Sequence, residues 1–145
     1  MAYDDIEQIK QLKARYFRLM DTKQWKIWAD CFTEDLVSIV EIEVPQDGQP
    51  VPTHPMGEGR DAFVASASTF PGPYTTVHHG HMPEITLTGP DTAKGIWAME
   101  DVVNMPDGQV LYGYGHYHED YRKEGGTWRI AKLHLTRLRL DYRRY

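Results

Sequence analysis

The second half of the sequence consists of four segments with strand character that are separated by short turn signals. Their bounds are 77–88, 93–104, 110–122 and 128–142. The turns between them contain Gly89-Pro90-Asp91, Pro106-Asp107-Gly108 and Glu124-Gly125-Gly126. Strands joined by such short connections pair as antiparallel neighbours, because a parallel pair needs a long crossover connection. The sequence therefore predicts a four-stranded antiparallel meander with one face that another part of the chain has to cover.

The first third of the sequence has helical character and can supply that cover. Asp4 and Asp5 offer an N-cap. Apolar side chains then recur at helical spacing, at Ile6, Ile9, Leu12, Tyr16 and Met20. This pattern predicts a helix over residues 5–21. Weaker patterns predict shorter helices over 23–32 and over 60–68, the latter ended near Pro71-Gly72-Pro73.

These elements define an α+β fold class in a single domain over residues 1–145. We expect a strongly curved antiparallel sheet that wraps around the N-terminal helices. Residues 36–44 are rich in β-branched side chains, but they lead into a loop with many prolines and glycines over 45–59. The predicted sheet therefore keeps to the four later segments.

Composition restricts the class of function. The net charge of −5 argues against nucleic acid as a partner. The single cysteine, Cys31, excludes an internal disulfide framework and a metal site built from several cysteines. We find neither an apolar run of membrane-spanning length nor a signal peptide, and we expect a cytoplasmic protein that binds no membrane.

Three histidines in four positions mark the first predicted strand. Side chains alternate between the faces of a strand, so His78 faces one side while His79 and His81 face the other. An acidic residue, Asp101, lies on the next strand. Histidine exchanges protons near neutral pH, and an acid on its other ring nitrogen fixes the tautomer. The pattern predicts a general base.

Short motifs along most of the chain resemble the SnoaL-like branch of the nuclear-transport-factor-2-like superfamily. They are Tyr16, Asp21, Trp25 and Phe32 in the helical part, and then Gly-Glu-Gly-Arg at 57–60, Thr-Val-His-His-Gly at 76–80, Asp-Thr-Ala at 91–93, Gly-His-Tyr at 115–117 and Gly-Thr-Trp-Arg-Ile at 126–130. The enzymes of this branch that the chain resembles are bile-acid 7-alpha-dehydratase, hexachlorocyclohexane dehydrochlorinase and scytalone dehydratase. The resemblance implies a cone-shaped barrel with a deep, mostly apolar pocket between the first helix and the concave face of the sheet.

The resemblance also implies site residues. Asp21 and His78 match an aspartate and a histidine that work as a pair in two of these enzymes, while Tyr16 and Asp101 match a further tyrosine and acid. The arginine on the last strand of those enzymes falls near Leu133, and the nearest arginine here, Arg137, is four residues further on. We include Arg137 among the candidate substrate contacts, which are Trp25, Phe32, Tyr114 and Arg137.

This residue set suits proton transfer without a cofactor. A neutral imidazole can abstract a proton next to a carbonyl group, and a tyrosine such as Tyr16 or Tyr114 can donate to the oxyanion that forms. We expect a lyase of the dehydratase type that acts on a hydrophobic cyclic or polyketide-like substrate. A ketosteroid-isomerase-like or polyketide-cyclase-like isomerase is an alternative, and so is a non-catalytic small-molecule-binding protein.

Structural roles and a metal site compete with this reading. Asp21 is also a natural N-cap, Tyr16 lies on the apolar stripe of the first helix, and His78 could be a core histidine. Two same-face pairs, His79 with His81 and His116 with His118, could chelate zinc or iron. However, Glu84 comes one residue early for the cupin pattern and Arg122 stands where the second pair needs an acid, so we predict no metal.

We also expect a homodimer or homotrimer. Tyr112, Tyr114 and Tyr117, or their alternates, are expected on the outer face of the sheet. A sheet with one covered face rarely leaves several aromatic rings bare.

Overall fold

The computed structural model describes residues 2–69 and 74–145. Its helices are α1 (Ala2–Asp21), α2 (Trp25–Trp28), which continues into a 3-10 turn (Ala29–Cys31), and α3 (Gly59–Ser68). Its strands are β1 (Phe32–Val40), β2 (Thr75–Leu87), β3 (Thr92–Asn104), β4 (Gln109–Glu124) and β5 (Thr127–Arg144). The predicted stop at Pro71-Gly72-Pro73 lies outside the described residues. None of the described helices is both long enough and apolar enough to span a bilayer.

The helix α1 agrees with the prediction and ends in a Schellman motif. The backbone N–H of Gln24 donates to the carbonyl of Leu19 at 2.8 Å and that of Lys23 to the carbonyl of Met20 at 3.0 Å. Lys23 has a φ of 59°, which lies in the left-handed region and does not occur inside a right-handed α-helix. The predicted second helix over 23–32 is therefore wrong at both ends. Only Trp25–Trp28 is α-helical, and Phe32 already begins β1.

The sheet has five strands in the order β1-β5-β4-β3-β2 and does not close into a full barrel. The antiparallel pairing of β2, β3, β4 and β5 confirms the predicted meander. The prediction of four strands was wrong, because β1 adds to the far edge as the parallel partner of β5, with Phe32 opposite Ile130. The fold is the predicted α+β cone, in which a curved sheet wraps around N-terminal helices.

The core lies between the helices and the concave face of the sheet. Its centre is a cluster of aromatic rings, since Trp28 and Phe32 are fully buried and their ring centroids lie 4.8 Å apart. Tyr16 of α1 and Tyr117 of β4 join this cluster edge-on at a centroid distance of 5.9 Å. Edge-on ring pairs contribute about 0.5–1.5 kcal/mol beyond the area they bury.

Alternation along the strands decides which side chains face this core. On β4 the inward residues include Tyr117 and Tyr121, which are 2% and 1% exposed. Tyr117 therefore does not lie on the outer face, which corrects the expectation from the sequence. Tyr112 and Tyr114 differ from Tyr117 by an odd number of positions in the same strand and lie on the outer face.

Candidate active site

Asp21, the last residue of α1, holds His78 of β2 at two points. Its Oδ1 lies 2.6 Å from Nδ1 of the imidazole, and its Oδ2 accepts the backbone N–H of His78 at 2.8 Å. The hydroxyl of Thr76 donates to Oδ1 at 3.0 Å. A carboxylate only accepts hydrogen bonds, so Nδ1 carries a proton and Nε2 of a neutral ring is left as the basic nitrogen.

The imidazole of His78 has two further neighbours, an aromatic ring that stacks on it and an acid near its free nitrogen, Nε2. The ring of Phe17 stacks on the imidazole, with centroids 6.5 Å apart and planes inclined by 13°. Nε2 lies 3.9 Å from Oδ2 of Asp101 on β3. The side chain of His78 is 12% exposed. The basic nitrogen is thus shielded from bulk solvent but has an acid next to it.

Asp101 in turn pairs with Arg137 of β5. The guanidinium donates to the two carboxylate oxygens at 2.8 and 3.3 Å, and both side chains are more than 90% buried. Nε of Arg137 is buried and has no hydrogen-bond partner among the described residues. The pair fits because Gly113 lies opposite Asp101 in the sheet. A Cβ at Gly113 would overlap Oδ1 of Asp101 and lie 2.5 Å from Nη1 of Arg137.

The structure therefore brings together Asp21, His78, Asp101 and Arg137 of the predicted site. Leu133, the position at which the resemblance puts an arginine, is a core residue with 1% exposure. The guanidinium comes from Arg137 instead, which faces the concave side four residues further along β5.

The remaining predicted residues lie elsewhere. Tyr16 is 3% exposed and reaches His78 only through Phe17, whose ring centroid lies 5.3 Å from its own. Burial raises the pKa of Tyr16 well above its ordinary value. Phe32 is fully buried in the aromatic core, and Trp25 packs edge-on against Trp28 at 5.4 Å. Tyr114 pairs with Glu100 on the outer face of the sheet, away from His78.

The sequence analysis did not predict a buried ion pair that lies behind the site. Lys13 is fully buried, and its ammonium donates to Oε2 of Glu119 at 2.8 Å. The ammonium also lies over the rings of Tyr16 and Tyr117, 3.8 and 3.6 Å from their centroids. Burial lowers the pKa of Lys13 to about 8, against the opposing effect of Glu119. The helical spacing from Ile9 places Lys13 on the apolar stripe, and this signal could have revealed it.

Hydrogen bonds extend this ion pair across the concave face. The hydroxyl of Tyr121 donates to Oε1 of Glu119 at 2.8 Å, and the indole N–H of Trp97 donates to that hydroxyl at 2.8 Å. Each oxygen of the Glu119 carboxylate thereby accepts a hydrogen bond, and a buried charge requires such partners.

The other histidines of β2 alternate with His78 along the strand, although His79 and His81 also line the groove described below. His79 and His81 are more than half exposed and lie 3.3 and 3.5 Å from Glu100. His116 and His118 are neighbours on the outer face of β4, with ring centroids 6.2 Å apart. Over residues 2–69 and 74–145, no group of three or more histidine, cysteine or acidic side chains is arranged to hold a metal ion.

A groove of about 430 Å³ runs between α1 and the edge strand β2, next to the His78–Asp21 pair. Its lining is mixed, whereas the resemblance led us to expect a mostly apolar pocket. Phe17 and Trp97 contribute aromatic surface, while Lys10 and Arg18 contribute charge. The groove gives a small molecule access to the His78–Asp21 pair, because both residues line it.

Comparisons with known proteins agree with this architecture. The structure of the Kfla4162 protein from Kribbella flavida superposes with a TM-score of 0.80 at 19% identity, covering 97% of this chain and 95% of that chain. The structure of hexachlorocyclohexane dehydrochlorinase LinA-type3 from Novosphingobium barchaimii LL02 superposes with a TM-score of 0.78 at 17% identity, covering 98% and 92%. At these identities the likeness establishes the fold.

Sequence comparison identifies the family to which the chain belongs. A protein of Gibberella zeae named "Probable cyclase FGR4" is 26% identical over 136 residues, which are 90% of this chain and 89% of that protein. The family model described as the SnoaL-like domain matches residues 1–134. The predicted resemblance is confirmed: the chain belongs to the family of SnoaL-like domains, with the nuclear-transport-factor-2-like fold.

Proposed function

We propose that this protein is a cofactor-independent lyase of the dehydratase type, which acts on a hydrophobic cyclic or polyketide-like substrate with His78 as its general base. One observation carries the proposal. The carboxylate of Asp21 lies 2.6 Å from Nδ1 of His78, so the opposite nitrogen is left to take a proton. A histidine with a core role needs only one acceptor, and a backbone carbonyl would serve.

The proposed reaction is a 1,2-elimination of water from a β-hydroxy carbonyl compound. Nε2 of His78 takes the proton next to the carbonyl group, and the electrons of that C–H bond form an enolate. Asp21 stabilises the imidazolium that results. The enolate then expels the β-hydroxyl group, which leaves as water with the proton from Nε2. A carbon–carbon double bond replaces the C–H and C–O bonds, so no redox partner is required.

Asp101 and Arg137 support the second half of this reaction. An oxygen atom about 2.8 Å from both Nε2 of His78 and Oδ2 of Asp101 fits their 3.9 Å separation. A departing hydroxyl group at that point can receive the proton from His78 while it donates its own hydrogen to Asp101. Arg137 orients the carboxylate of Asp101 for this role through hydrogen bonds of 2.8 and 3.3 Å.

Elimination and cyclisation share the first proton transfer. The relative from Gibberella zeae is named a cyclase, and the name favours an isomerase or cyclase as the second candidate. In that reaction the same enolate attacks a second carbonyl group or is reprotonated elsewhere, and no group leaves. The likeness in fold to a dehydrochlorinase favours elimination, since that name describes the removal of hydrogen chloride.

Exchange with heavy water separates these functions. The purified protein is incubated in deuterium oxide with cyclic ketones that carry or lack a β-hydroxyl group. A lyase forms the conjugated enone from the hydroxy ketones, which ultraviolet absorption detects. An isomerase or cyclase incorporates deuterium next to the carbonyl without forming enone. If deuterium uptake with every ketone equals that of His78→Ala, the site holds no base and the binding-only alternative replaces our proposal.

A further inference from the structure

The helical wall of the groove beside His78 has an ordered pattern of charge. Lys10, Ala14 and Arg18 are four residues apart on α1, so they lie on one face at steps of about 6 Å. All three are exposed. The short side chain of Ala14 leaves space between the two cations. The two positive charges of this helical wall are thus about 12 Å apart along α1, with an open space at Ala14 between them.

Aromatic rings close the groove on its inner side. A Cβ at Gly80 of β2 would lie 2.6 Å from the ring of Phe17 and 3.2 Å from that of Trp97. The absence of a side chain at Gly80 therefore lets these rings approach the strand. Flat apolar surface lies next to the cations of α1, as a ring system with a charged substituent requires.

The carboxylates near the groove do not neutralise Arg18. Asp21 is committed to His78 and Thr76, and Glu100 faces His79 and His81. Glu7 lies 3.9 Å from Lys10. In the described part of the chain no carboxylate pairs with Arg18.

A purely structural role explains only part of this arrangement. Arg18 belongs to the last turn of α1, where a cation is favoured by the helix dipole. The dipole acts on a charge anywhere around that turn and gives no reason for the side chain to line the groove. Nor does it explain the second cation at Lys10, far from the C-terminal end of α1.

We infer that the groove binds a substrate with a carboxylate on an apolar ring system, and that Arg18, assisted by Lys10, binds the carboxylate. The inference rests on the proposed function and specifies its substrate class. Arginine binds a carboxylate through two parallel hydrogen bonds. In the groove, Arg18 offers one positive charge to a single carboxylate, and Glu7 reduces the charge that Lys10 adds. The volume of about 430 Å³ admits a ring system of two or three fused rings.

A matched pair of probes tests the inference through binding alone. The probes are 2-naphthoate and its neutral isostere 2-naphthamide, titrated into the protein and followed by NMR spectroscopy of the backbone amides. We expect the carboxylate to bind about tenfold more tightly than the amide, since one charge-assisted hydrogen-bond pair is worth at least this factor. Arg18→Gln should remove most of the difference, whereas Lys26→Gln, at another exposed lysine, should leave it unchanged.

A second variant locates the binding in the groove. Ala14→Phe fills the space between the cations from an exposed helical position, so folding should be preserved and both probes should lose affinity. Equal affinity of the two probes, or no binding of either at millimolar concentrations, would overturn the inference, as would unchanged binding in Ala14→Phe.

The binding result is independent of the proposed catalysis. His78→Ala removes the base but leaves Arg18 in place, so this variant should still prefer 2-naphthoate. Preference for the carboxylate without deuterium exchange would refute the proposed lyase and leave the ligand class standing. Exchange on neutral ketones without preference for the carboxylate would refute the ligand class only.

Discussion

The carboxylate of Asp21 binds His78 through both its backbone and its side chain. Oδ2 accepts the backbone N–H at 2.8 Å, while Oδ1 lies 2.6 Å from Nδ1 of the ring. The first contact fixes the end of α1 against the edge strand β2, and the second orients the imidazole. One residue thus ties the helix to the sheet and sets the tautomer of the proposed base, so that the geometry of the site is part of the fold.

The first prediction compares His78 with its neighbour His79. His78→Ala should lower turnover by at least about 100-fold, because general acid–base catalysis contributes this much or more. His79→Ala should retain activity near that of the wild type, since the side chain of His79 is 59% exposed and faces away from Asp21. Steady-state rates of enone formation or deuterium uptake measure both. Loss of activity in His79→Ala with retention in His78→Ala would refute the proposed base.

The second prediction concerns the charge on Asp21. Asp21→Asn should lower kcat by at least about 100-fold. The amide cannot stabilise an imidazolium by charge, and its NH₂ group can donate to Nδ1 and shift the ring proton to Nε2. Thr76→Val is the matched control, because it removes only the hydroxyl that donates to Oδ1 at 3.0 Å. We expect its kcat to fall far less. Equal losses in the two variants would show that the carboxylate acts by position and not by charge.

Local patterns made most of the fold predictable. The stripe of α1 and the turns between β2, β3, β4 and β5 depend on residues close in sequence, and these elements were found. Strand β1 was not placed in the sheet, because its partner is β5 and Phe32 lies opposite Ile130. No local pattern reports a parallel pairing between segments so far apart in sequence.

The geometry of the site likewise depends on strand pairing that local sequence patterns do not predict. Leu87 pairs with Ala93, and a regular ladder from this pair would set His78 opposite Val102. A bulge between His81 and Glu84 shifts the register by one residue, so Asp101 lies opposite His78 instead. The residues of the site could be named from the family resemblance, but the distance between them depends on this bulge.

The third prediction is that Gly113→Ala damages the site from the opposite strand. A methyl group at Gly113 would overlap the Asp101 carboxylate and crowd the guanidinium of Arg137. We expect a loss of about 1–3 kcal/mol in the free energy of unfolding, as for other overpacked positions, together with reduced turnover. Urea denaturation and the exchange assay measure the two effects. Ala98→Val, which adds methyl groups to the outer face of β3, should change stability by less than about 0.5 kcal/mol.

The fourth prediction is that copies of this chain associate through the outer face of the sheet. Leu138, at the bulge of β5, is 65% exposed, and Tyr145 is 79% exposed, with its hydroxyl 3.2 Å from that of Tyr112 on this face. We expect a homodimer or homotrimer, because apolar surface of this kind is usually covered. Light scattering should then give two or three times the 16.8 kDa mass of the chain. Leu138→Asp should reduce that mass to the monomer, and a monomeric wild type would contradict the prediction.

The fifth prediction follows from the buried Lys13. Burial lowers its pKa to about 8 in the folded protein, whereas lysine in the unfolded chain titrates near its ordinary value of 10.5. Above pH 8 the unfolded state therefore holds more protons than the folded state, and the free energy of unfolding rises with pH. Burial raises the pKa of Cys31 to about 11 from 9.0, and this group acts in the opposite direction once the pH exceeds 9. Buried tyrosines such as Tyr16 add to that opposing effect from about pH 10.

The contribution of Lys13 is therefore visible between pH 8 and pH 9. The slope expected from one group is at most about 1.4 kcal/mol per pH unit. The control is the double variant Lys13→Met and Glu119→Gln, which removes both charges together, because replacing one alone would leave the other buried without a partner. Urea denaturation at pH 8.0 and 9.0 compares the two proteins. The wild type should gain stability relative to the double variant across this interval, and parallel behaviour of the two would show that Lys13 keeps an ordinary pKa.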